Sequence, residues 1–401
     1  MELKSMIRIL AIVAFFVGLD SLLVAPLLPV ITETISIPDG SGGLLITIYA
    51  LCYGITAPVF GMMSDRVGRK RMIIIGFIIF SISTFCTGLA KNFEILLLFR
   101  GLTGLSGAMI MPSIFALVGD KVTYESRGKA MGTIMGAMIG STVIGVPIGT
   151  FLSEIGNWQW TFYSIGLLTL FLTLLVNHIL RNEKERNDVH VSLTETVDAP
   201  LKMTVVNISV LFALLATFLW TIGLHGMFSY IGVYYENNFG ISVGKIGIVI
   251  FLAGVGSVAG NILGGKLADK IGKKSVVVIA SIVSSISVML FSLSTENLVI
   301  AIIVHIIWSL FIGFGQASLT ALISELKPAV RGTVMALNSS AMYIGMTIAS
   351  GVASIAISNG FPFSSLGTMC AIASLLVLPI IFVLVQEKAS SNKKHHLIKR
   401  R

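Results

Sequence analysis

A basic segment of the chain occurs twice, each time between two long apolar stretches. It reads GMMSDRVGRKR at residues 61–71 and GKLADKIGKK at residues 265–274, an offset of 204 residues in a chain of 401. An Arg-Gly pair at residues 127–128 recurs at 331–332 with the same offset. A basic loop at equivalent places in two apolar halves predicts a duplicated membrane protein. Membrane proteins built from two repeats are usually transporters, with the substrate site between the repeats.

The composition requires a membrane. Hydrophobic residues make up 55% of the chain and charged residues only 12%, whereas soluble domains carry roughly 25% charged residues. Lipid allows only helices or closed barrels to span it, and apolar runs of about 20 residues suit helices. Cys52, Cys86 and Cys370 lie inside apolar runs without ligand-like spacing, so we predict neither a disulfide nor a metal site.

Twelve apolar runs predict an all-α polytopic membrane protein, with two pseudo-symmetric bundles of six helices. We expect an N-terminal bundle at 1–180, a polar linker at 181–203, a C-terminal bundle at 204–387 and a basic tail at 388–401. The predicted spans are 7–31, 42–63, 72–90, 94–118, 129–152, 160–179, 204–231, 245–264, 275–293, 297–322, 332–357 and 363–385.

The basic residues predict the orientation of these spans. Of the 28 Lys and Arg residues, all but Lys91, Lys245 and Arg100 fall at the termini or in the loops of one side. Positive loops stay in the cytoplasm, so both termini are expected there, in a cell membrane. The net charge of +9 therefore reflects topology, and we expect no nucleic-acid partner. The basic tail is either a topology anchor or a contact with anionic lipid head groups.

Three motifs carry a family resemblance over essentially the whole chain. Residues 61–71 are similar to the loop signature G-x-L-x-D-R-x-G-R-K, with Met63 at the usual Leu position. The run LLLFRGLTGLSGA at 96–108 resembles the antiporter signature of span four. In span five, GVPIGT at 145–150 resembles sugar, nucleoside and chloramphenicol efflux proteins, although the usual antiporter pattern has adjacent Gly and Pro. The chain thus resembles the major facilitator superfamily, specifically its twelve-span drug:proton antiporter branch.

The resemblance implies that the repeated loop is a cytoplasmic latch that stabilises the outward-facing state. Asp65 is then expected near Arg331, where the N-terminus of span eleven favours an anion, and Asp269 near Arg127. Alternatively, the basic residues only fix the orientation. Glycine permits the tight turn in each copy. The predicted gating residues are Gly61, Asp65, Arg66, Gly68, Arg69, Lys70, Gly265, Asp269 and Gly272.

Asp20 is the only carboxylate deep inside a span, and Arg100 is the only permanent cation in a span. A charge at the bilayer centre costs at least ~2.5 kcal/mol, so such residues are functional candidates. Their predicted depths differ by roughly 7 Å at 1.5 Å per residue, within reach of an arginine. We expect this pair to couple proton or substrate movement. The alternatives are a static ion pair between two helices, or two residues that do not meet.

Span five carries glycines four residues apart. Gly132, Gly136 and Gly140 form one row, and Gly145 and Gly149 another, with Pro147 between the latter two. This spacing lets a neighbouring helix approach closely, and Pro147 permits a kink. We therefore expect a helix interface at Gly140, Gly145, Pro147 and Gly149, used either for tight packing alone or also as a bending seam.

Polar and aromatic residues inside other spans are candidates for a cavity lining. His225 and His305 either carry protons, since histidine titrates near neutral pH, or are satisfied polar groups within the bundle. The candidate cavity residues are Tyr53, His225, Tyr230, His305, Trp308, Gln316 and Asn338.

Together these patterns predict a secondary transporter that is not an enzyme. No phosphate-binding loop is present, so we expect no cofactor and a proton gradient as the driving force. The expected partners are a small amphipathic substrate, protons and membrane lipids, and the expected functional unit is a monomer. The alternatives are an importer, a facilitator or a lipid flippase of the same fold, or a membrane sensor or scaffold that transports nothing.

Overall fold

The computed structural model describes residues 2–38, 40–181, 207–327 and 331–384. Most of the predicted linker at 181–203, and the whole predicted tail at 388–401, lie outside the described residues. The predicted division into two bundles can therefore be followed in the helices but not in the segments that were expected to join or end them.

Twelve helical segments of the described chain are long and apolar enough to cross a membrane, which confirms the predicted fold class. Span 5 is interrupted by a π-helical turn at Ser141–Gly145, and span 7 by a break at residues 229–230. The helices of spans 1 to 12 run Glu2–Ile35, Leu44–Val67, Arg69–Leu89, Phe93–Lys121, Tyr124–Gly140 with Val146–Ile155, Trp158–Arg181, Ile208–Phe228 with Ile231–Phe239, Val243–Ile271, Lys273–Leu293, Leu298–Leu326, Arg331–Ser358 and Phe363–Pro379.

Local residues explain where several spans begin and end. The side chains of Asn92, Asn207 and Asn297 accept hydrogen bonds from the first free backbone N–H groups of spans 4, 7 and 10. Such caps satisfy donors that have no partner inside the helix. Spans 2 and 3 meet at Gly68, with φ 99°, and spans 8 and 9 meet at Gly272, with φ 93°. The repeated loop therefore makes the same glycine turn in both halves, because other residues rarely adopt a positive φ.

The two halves repeat the same helix packing. Span 2 packs on span 4, span 3 on spans 4 and 6, and span 1 on span 5. In the second half, span 8 packs on span 10, span 9 on spans 10 and 12, and span 7 on span 11. Each pair in the second half is thus a pair of the first half shifted by six spans. The halves meet chiefly where span 2 packs on span 11 and span 5 on span 8.

We name the two ends of this bundle by their residues. The basic end holds the turns at Gly68 and Gly272. The opposite end, which we call the Gly40 end, holds the connection between spans 1 and 2. A functional site between the halves has to be described relative to these two ends.

Candidate functional site

Asp20 of span 1 and Arg100 of span 4 form a buried ion pair within the first half. One guanidinium nitrogen of Arg100 lies 2.7 Å from Oδ2 of Asp20 and another lies 3.4 Å from its backbone oxygen. The two side chains are 0% and 1% exposed, respectively. The hydroxyl of Thr84 in span 3 donates a longer bond of 3.5 Å to Oδ1 of Asp20. The structure therefore brings together the two charges that the sequence singled out.

Close packing of spans 2 and 4 places Tyr49 beside Arg100. Gly104 lies directly against the backbone of Tyr49, where a larger residue would collide with the carbonyl group. One helical turn before Gly104, the guanidinium carbon of Arg100 sits 4.7 Å from the centre of the Tyr49 ring. A cation over an aromatic face is attracted to the negative face of the ring. Arg100 thus interacts with a carboxylate and with an aromatic ring at the same time.

Three tyrosines lead from this pair to the other half of the molecule. Tyr49 and Tyr53 are one helical turn apart on span 2, with ring centres 6.5 Å apart. Tyr53 stacks on Tyr343 of span 11, with ring centres 3.6 Å apart and an angle of 21° between the rings. Tyr53 was a predicted cavity residue. Tyr49 and Tyr343 were not identified from the sequence, although the four-residue spacing of Tyr49 and Tyr53 places both rings on one helix face.

The halves are joined by hydrogen bonds at the Gly40 end. The hydroxyl of Tyr230 donates to the carbonyl oxygen of Gly40 and accepts from the backbone N–H of Gly43 at 3.0 Å. The hydroxyl of Ser354 donates to the same Gly40 oxygen at 2.7 Å. Gly40 has φ 79° and lies against the backbone of Ser358, so a side chain fits neither the conformation nor the space. Tyr230, predicted as a cavity residue, is instead part of this closure.

Two further hydrogen bonds between the halves lie on the same side. Thr47 pairs with Ser350 at 2.8 Å, and Glu154 accepts from the backbone N–H of Gly244 at 3.0 Å. All the hydrogen bonds between the halves named above lie on the Gly40 side of the Tyr53–Tyr343 stack. In this conformation the halves are therefore fastened to each other at the Gly40 end.

The repeated loop forms charge contacts inside each half. Arg69 pairs with Asp65, contacts Asp120 at the end of span 4 at 2.8 Å, and donates to the hydroxyl of Ser64 at 2.9 Å. In the second half, Lys273 contacts Glu325 at the end of span 10 at 2.6 Å. Asp120 and Glu325 were missed in the sequence, although an acid follows the loop by 51 residues in one half and 52 in the other.

Of the two expected partners of the loop aspartates, the one for Asp269 needs correction, and the one for Asp65 is not tested. The side chain of Arg331, expected near Asp65, lies outside the described residues. Arg127, expected near Asp269, donates instead to the carbonyl oxygens of Gly119 and Val122 at 2.5 and 3.5 Å. These carbonyls lie at the C-terminal end of span 4, where a cation is favoured by the helix dipole. Asp269 forms no ion pair with any described residue.

The other predicted gating residues differ in their burial and in their packing. Gly68 and Gly272 make the turns described above, and Arg66 is exposed while Lys70 is buried. A Cβ atom at Gly61 would lie 3.8 Å from Pro112, and one at Gly265 would face open space.

Span 5 meets the predicted interface only in its second part. Gly145 lies against Leu19 and Phe15 of span 1, and Gly149 lies against Leu23 of span 1. A Cβ atom at Gly247 of span 8 would lie 3.4 Å from Pro147, so span 5 packs against both halves here. Gly140 contradicts the expectation, because a Cβ atom there would meet no other helix within 4 Å in this conformation, and the same holds for Gly132 and Gly136.

The remaining cavity candidates are dispersed within the second half. Asn338 accepts a 2.7 Å hydrogen bond from Thr217, and Gln316 donates to Thr320 at 3.2 Å. These contacts join side chains of the second half to one another.

The two histidines are both buried near aromatic rings. His305 shares a 3.1 Å hydrogen bond with Tyr235 and packs beside Trp308. His225 packs edge-on against Phe228, and its Nδ1 has no hydrogen-bond partner among the described residues. The structure therefore does not bring the histidines to the Asp20–Arg100 pair. The described residues contain no cluster of side chains suited to hold a metal ion.

The comparisons with known proteins agree on one family of transporters. The family described as Major Facilitator Superfamily matches residues 10–350 and 226–399. An uncharacterized MFS-type transporter, YwfA of Bacillus subtilis (strain 168), is 28% identical over 90% of this chain and 87% of its own. Multidrug resistance protein 1 of the same organism is 28% identical over 82% of this chain and 83% of its own. The solved structure of a D-xylose-proton symporter is similar in fold, with a TM-score of 0.80, 15% identity, and coverage of 96% of this chain and 99% of that one.

Proposed function

Because the chain belongs to the major facilitator superfamily and is a multi-pass membrane transporter, we propose that it exports small amphipathic compounds in exchange for protons. The two halves alternate between closure at the Gly40 end and closure at the basic end. The substrate site lies between them near the middle of the membrane.

The observation that carries the proposal is the fully buried pair of Asp20 and Arg100. Burying an ion pair in a low-dielectric interior costs desolvation free energy. Replacing such a pair with apolar residues often leaves the stability of the fold unchanged or increases it. A pair kept at this depth is more readily explained by transport than by stability. The multidrug resistance proteins of Bacillus subtilis among the similar sequences favour export over import.

Asp20 is the group that takes up and releases the proton in this mechanism. While Asp20 is charged, it neutralises Arg100 at 2.7 Å. When Asp20 binds a proton, Arg100 loses its anion, and the energetic balance between the two conformations changes. The proton drives the substrate the opposite way when the substrate crosses while Asp20 is charged and the proton crosses while the substrate site is empty.

We also propose that both termini and the basic end face the cytoplasm, because positive loops are retained there. The Gly40 end then faces outward, and the described conformation is closed to the outside. The transporter works as a monomer with protons and a small amphipathic molecule as its ligands, surrounded by membrane lipids.

The test is transport by the purified protein in liposomes with an imposed pH gradient and a panel of amphipathic compounds. Export predicts substrate movement against its gradient, opposite to the proton flow, and its loss when the pH gradient is collapsed. Movement in the same direction as the protons indicates an importer. Equilibration without accumulation indicates a facilitator, scrambling of labelled lipid indicates a flippase, and no movement of any compound favours a sensor or scaffold.

A further inference from the structure

A row of aromatic rings connects the buried ion pair of the first half to the second half. The ring of Tyr49 lies under Arg100, and its centre is 6.5 Å from those of both Tyr53 and Tyr343. Tyr53 and Tyr343 are in direct stacking contact. Tyr343 is the member of this row that belongs to the second half.

Arg100 and Tyr49 each have an unused polar group next to this row. Nε of Arg100 and the hydroxyl of Tyr49 are buried, and neither has a hydrogen-bond partner among the described residues. Asp20 is the charged group that contacts Arg100 in the described part of the chain, and Thr84 is the further side chain bonded to Asp20. The other titratable groups that face this region are Tyr53, Tyr343 and Cys52, the last of which lies beside Gly101.

The row of rings gives Arg100 a second interaction partner besides Asp20. A buried guanidinium that loses its anion must regain interactions elsewhere, because an unpaired buried charge is costly. The ring of Tyr49 is already beneath it, and a cation–π attraction strengthens when the cation is desolvated. Any movement of Arg100 towards Tyr49 therefore displaces the Tyr49 ring towards the rings of Tyr53 and Tyr343.

We propose that Tyr343 transmits the protonation state of Asp20 to the second half, through Arg100, Tyr49 and Tyr53. The inference rests on the proposed function, in which Asp20 exchanges protons. Tyr343 is a positioning residue here, since it acts through other side chains. Packed side chains with two discrete arrangements are the physical means by which such coupling travels.

The position of the stack fits this role. A Cβ atom at Gly54 of span 2 would lie 3.3 Å from Tyr343 and Ile344 of span 11, so the two helices are in close contact there. The hydrogen bonds that Tyr230, Ser350, Glu154 and Ser354 make between the halves lie on the Gly40 side of this contact. Rocking of the halves must therefore alter the Tyr53–Tyr343 stack at the margin of the fastened region.

The experiment measures the separation of the halves as a function of pH, independently of transport. Spin labels are placed on cysteines at positions 119 and 265, one in each half towards the basic end, where the native glycines have open space around them. The full chain, with its three native cysteines replaced by serine, is reconstituted in lipid and examined by pulsed electron spin resonance at acidic and alkaline pH. With Tyr343 unaltered, the distances between the two labels should form two populations whose ratio changes with pH.

Tyr343→Leu should reduce the pH-dependent change in this population ratio by about twofold to tenfold. This is the equilibrium factor that corresponds to the loss of one aromatic pair. Tyr343→Phe keeps the ring and should keep the shift. Tyr53→Leu removes the other ring of the stack and should act like Tyr343→Leu, which provides a second route if one variant folds poorly. In an Asp20→Asn background, Tyr343→Leu should leave the pH response unchanged.

Phe311→Leu is the matched control, since Phe311 stacks on Phe314 within span 10 and lies outside the row. A full pH shift in both Tyr343→Leu and Tyr53→Leu overturns the relay while leaving the proposed function intact. A flattened shift in Phe311→Leu also overturns it, because loss of any ring would then suffice. No pH shift in the unaltered protein, together with no pH-driven transport, overturns both proposals.

Discussion

At the scale of residues, the molecule is defined by two opposite charges that are each costly alone. Asp20 and Arg100 are almost fully buried and bind each other at 2.7 Å. Removing one member of a buried pair costs roughly 3–5 kcal/mol, whereas removing both is often neutral. This difference separates the contribution of the pair to stability from its contribution to coupling.

Asp20→Asn should abolish transport against a gradient, because the amide keeps the shape but exchanges no proton. Asp20→Glu should keep part of the activity. The single variant Asp20→Asn should also be less stable by roughly 3–5 kcal/mol, and the double variant Asp20→Asn with Arg100→Gln should recover stability without recovering transport. The measurements are pH-driven transport in liposomes and thermal unfolding in detergent.

Thr84→Val is the control, since it removes only the long 3.5 Å bond to Asp20 and should leave transport nearly unchanged. If Asp20→Asn still pumps with the same pH dependence, the proton carrier lies elsewhere, and His225 and His305 are the next candidates.

At the scale of elements, span 5 combines a π-helical turn with a tightly packed segment. The π-helical turn at Ser141–Gly145 directly precedes Pro147, which has no backbone N–H to donate. Turns of this kind inside helices are frequent at functional sites. Before the turn the glycines have open space, and after it they are packed against span 1.

Gly145→Leu should impair folding or transport, because its side chain meets Leu19 and Phe15 at 2.8 and 3.1 Å. Overpacking of this kind costs about 1–3 kcal/mol. Gly140→Leu is the matched control, since no atom lies within 4 Å of that position in this conformation. We expect Gly140→Leu to fold normally, as judged by membrane yield and thermal unfolding. Equal tolerance of both changes would show that the packing of Gly145 on span 1 is incidental.

At the scale of the whole molecule, the halves are fastened at one end by few contacts. Tyr230 and Ser354 both bind the carbonyl group of Gly40, and Tyr230 also binds the backbone of Gly43. Because these bonds join the two halves, they stabilise only the conformation that is closed at the Gly40 end. Their loss should change the balance between conformations.

Tyr230→Phe removes two such hydrogen bonds, each contributing about 0.5–1.5 kcal/mol. The population open at the Gly40 end should therefore rise on the order of tenfold. A cysteine at position 351, beside Thr47 at the junction of the halves, should react faster with a membrane-impermeant thiol reagent. Tyr234→Phe is the control, because the Tyr234 hydroxyl bonds only to Phe291 and Ser294 in the same half. An unchanged labelling rate in Tyr230→Phe would show that these bonds do not hold the end closed.

The sequence by itself determined the class of fold. Apolar runs, basic loops and a repeated segment are properties of neighbouring residues, and lipid allows few solutions for them. The twelve spans and the family membership are accordingly confirmed. The pairing of Asp20 with Arg100 could be expected as well, because two isolated buried charges have few other partners.

The tertiary structure alone decided which faces of the helices meet. Tyr343 lies nearly 300 residues from Tyr53, and the pairing of their rings depends on the rotation of spans 2 and 11 about their axes. The same holds for Gly140, which belongs to the glycine-rich span 5 but precedes the π-helical turn, whereas the packed Gly145 and Gly149 end or follow it. Spacing along one chain specifies a helix face, whereas the neighbour of that face is set by the packing of all twelve spans.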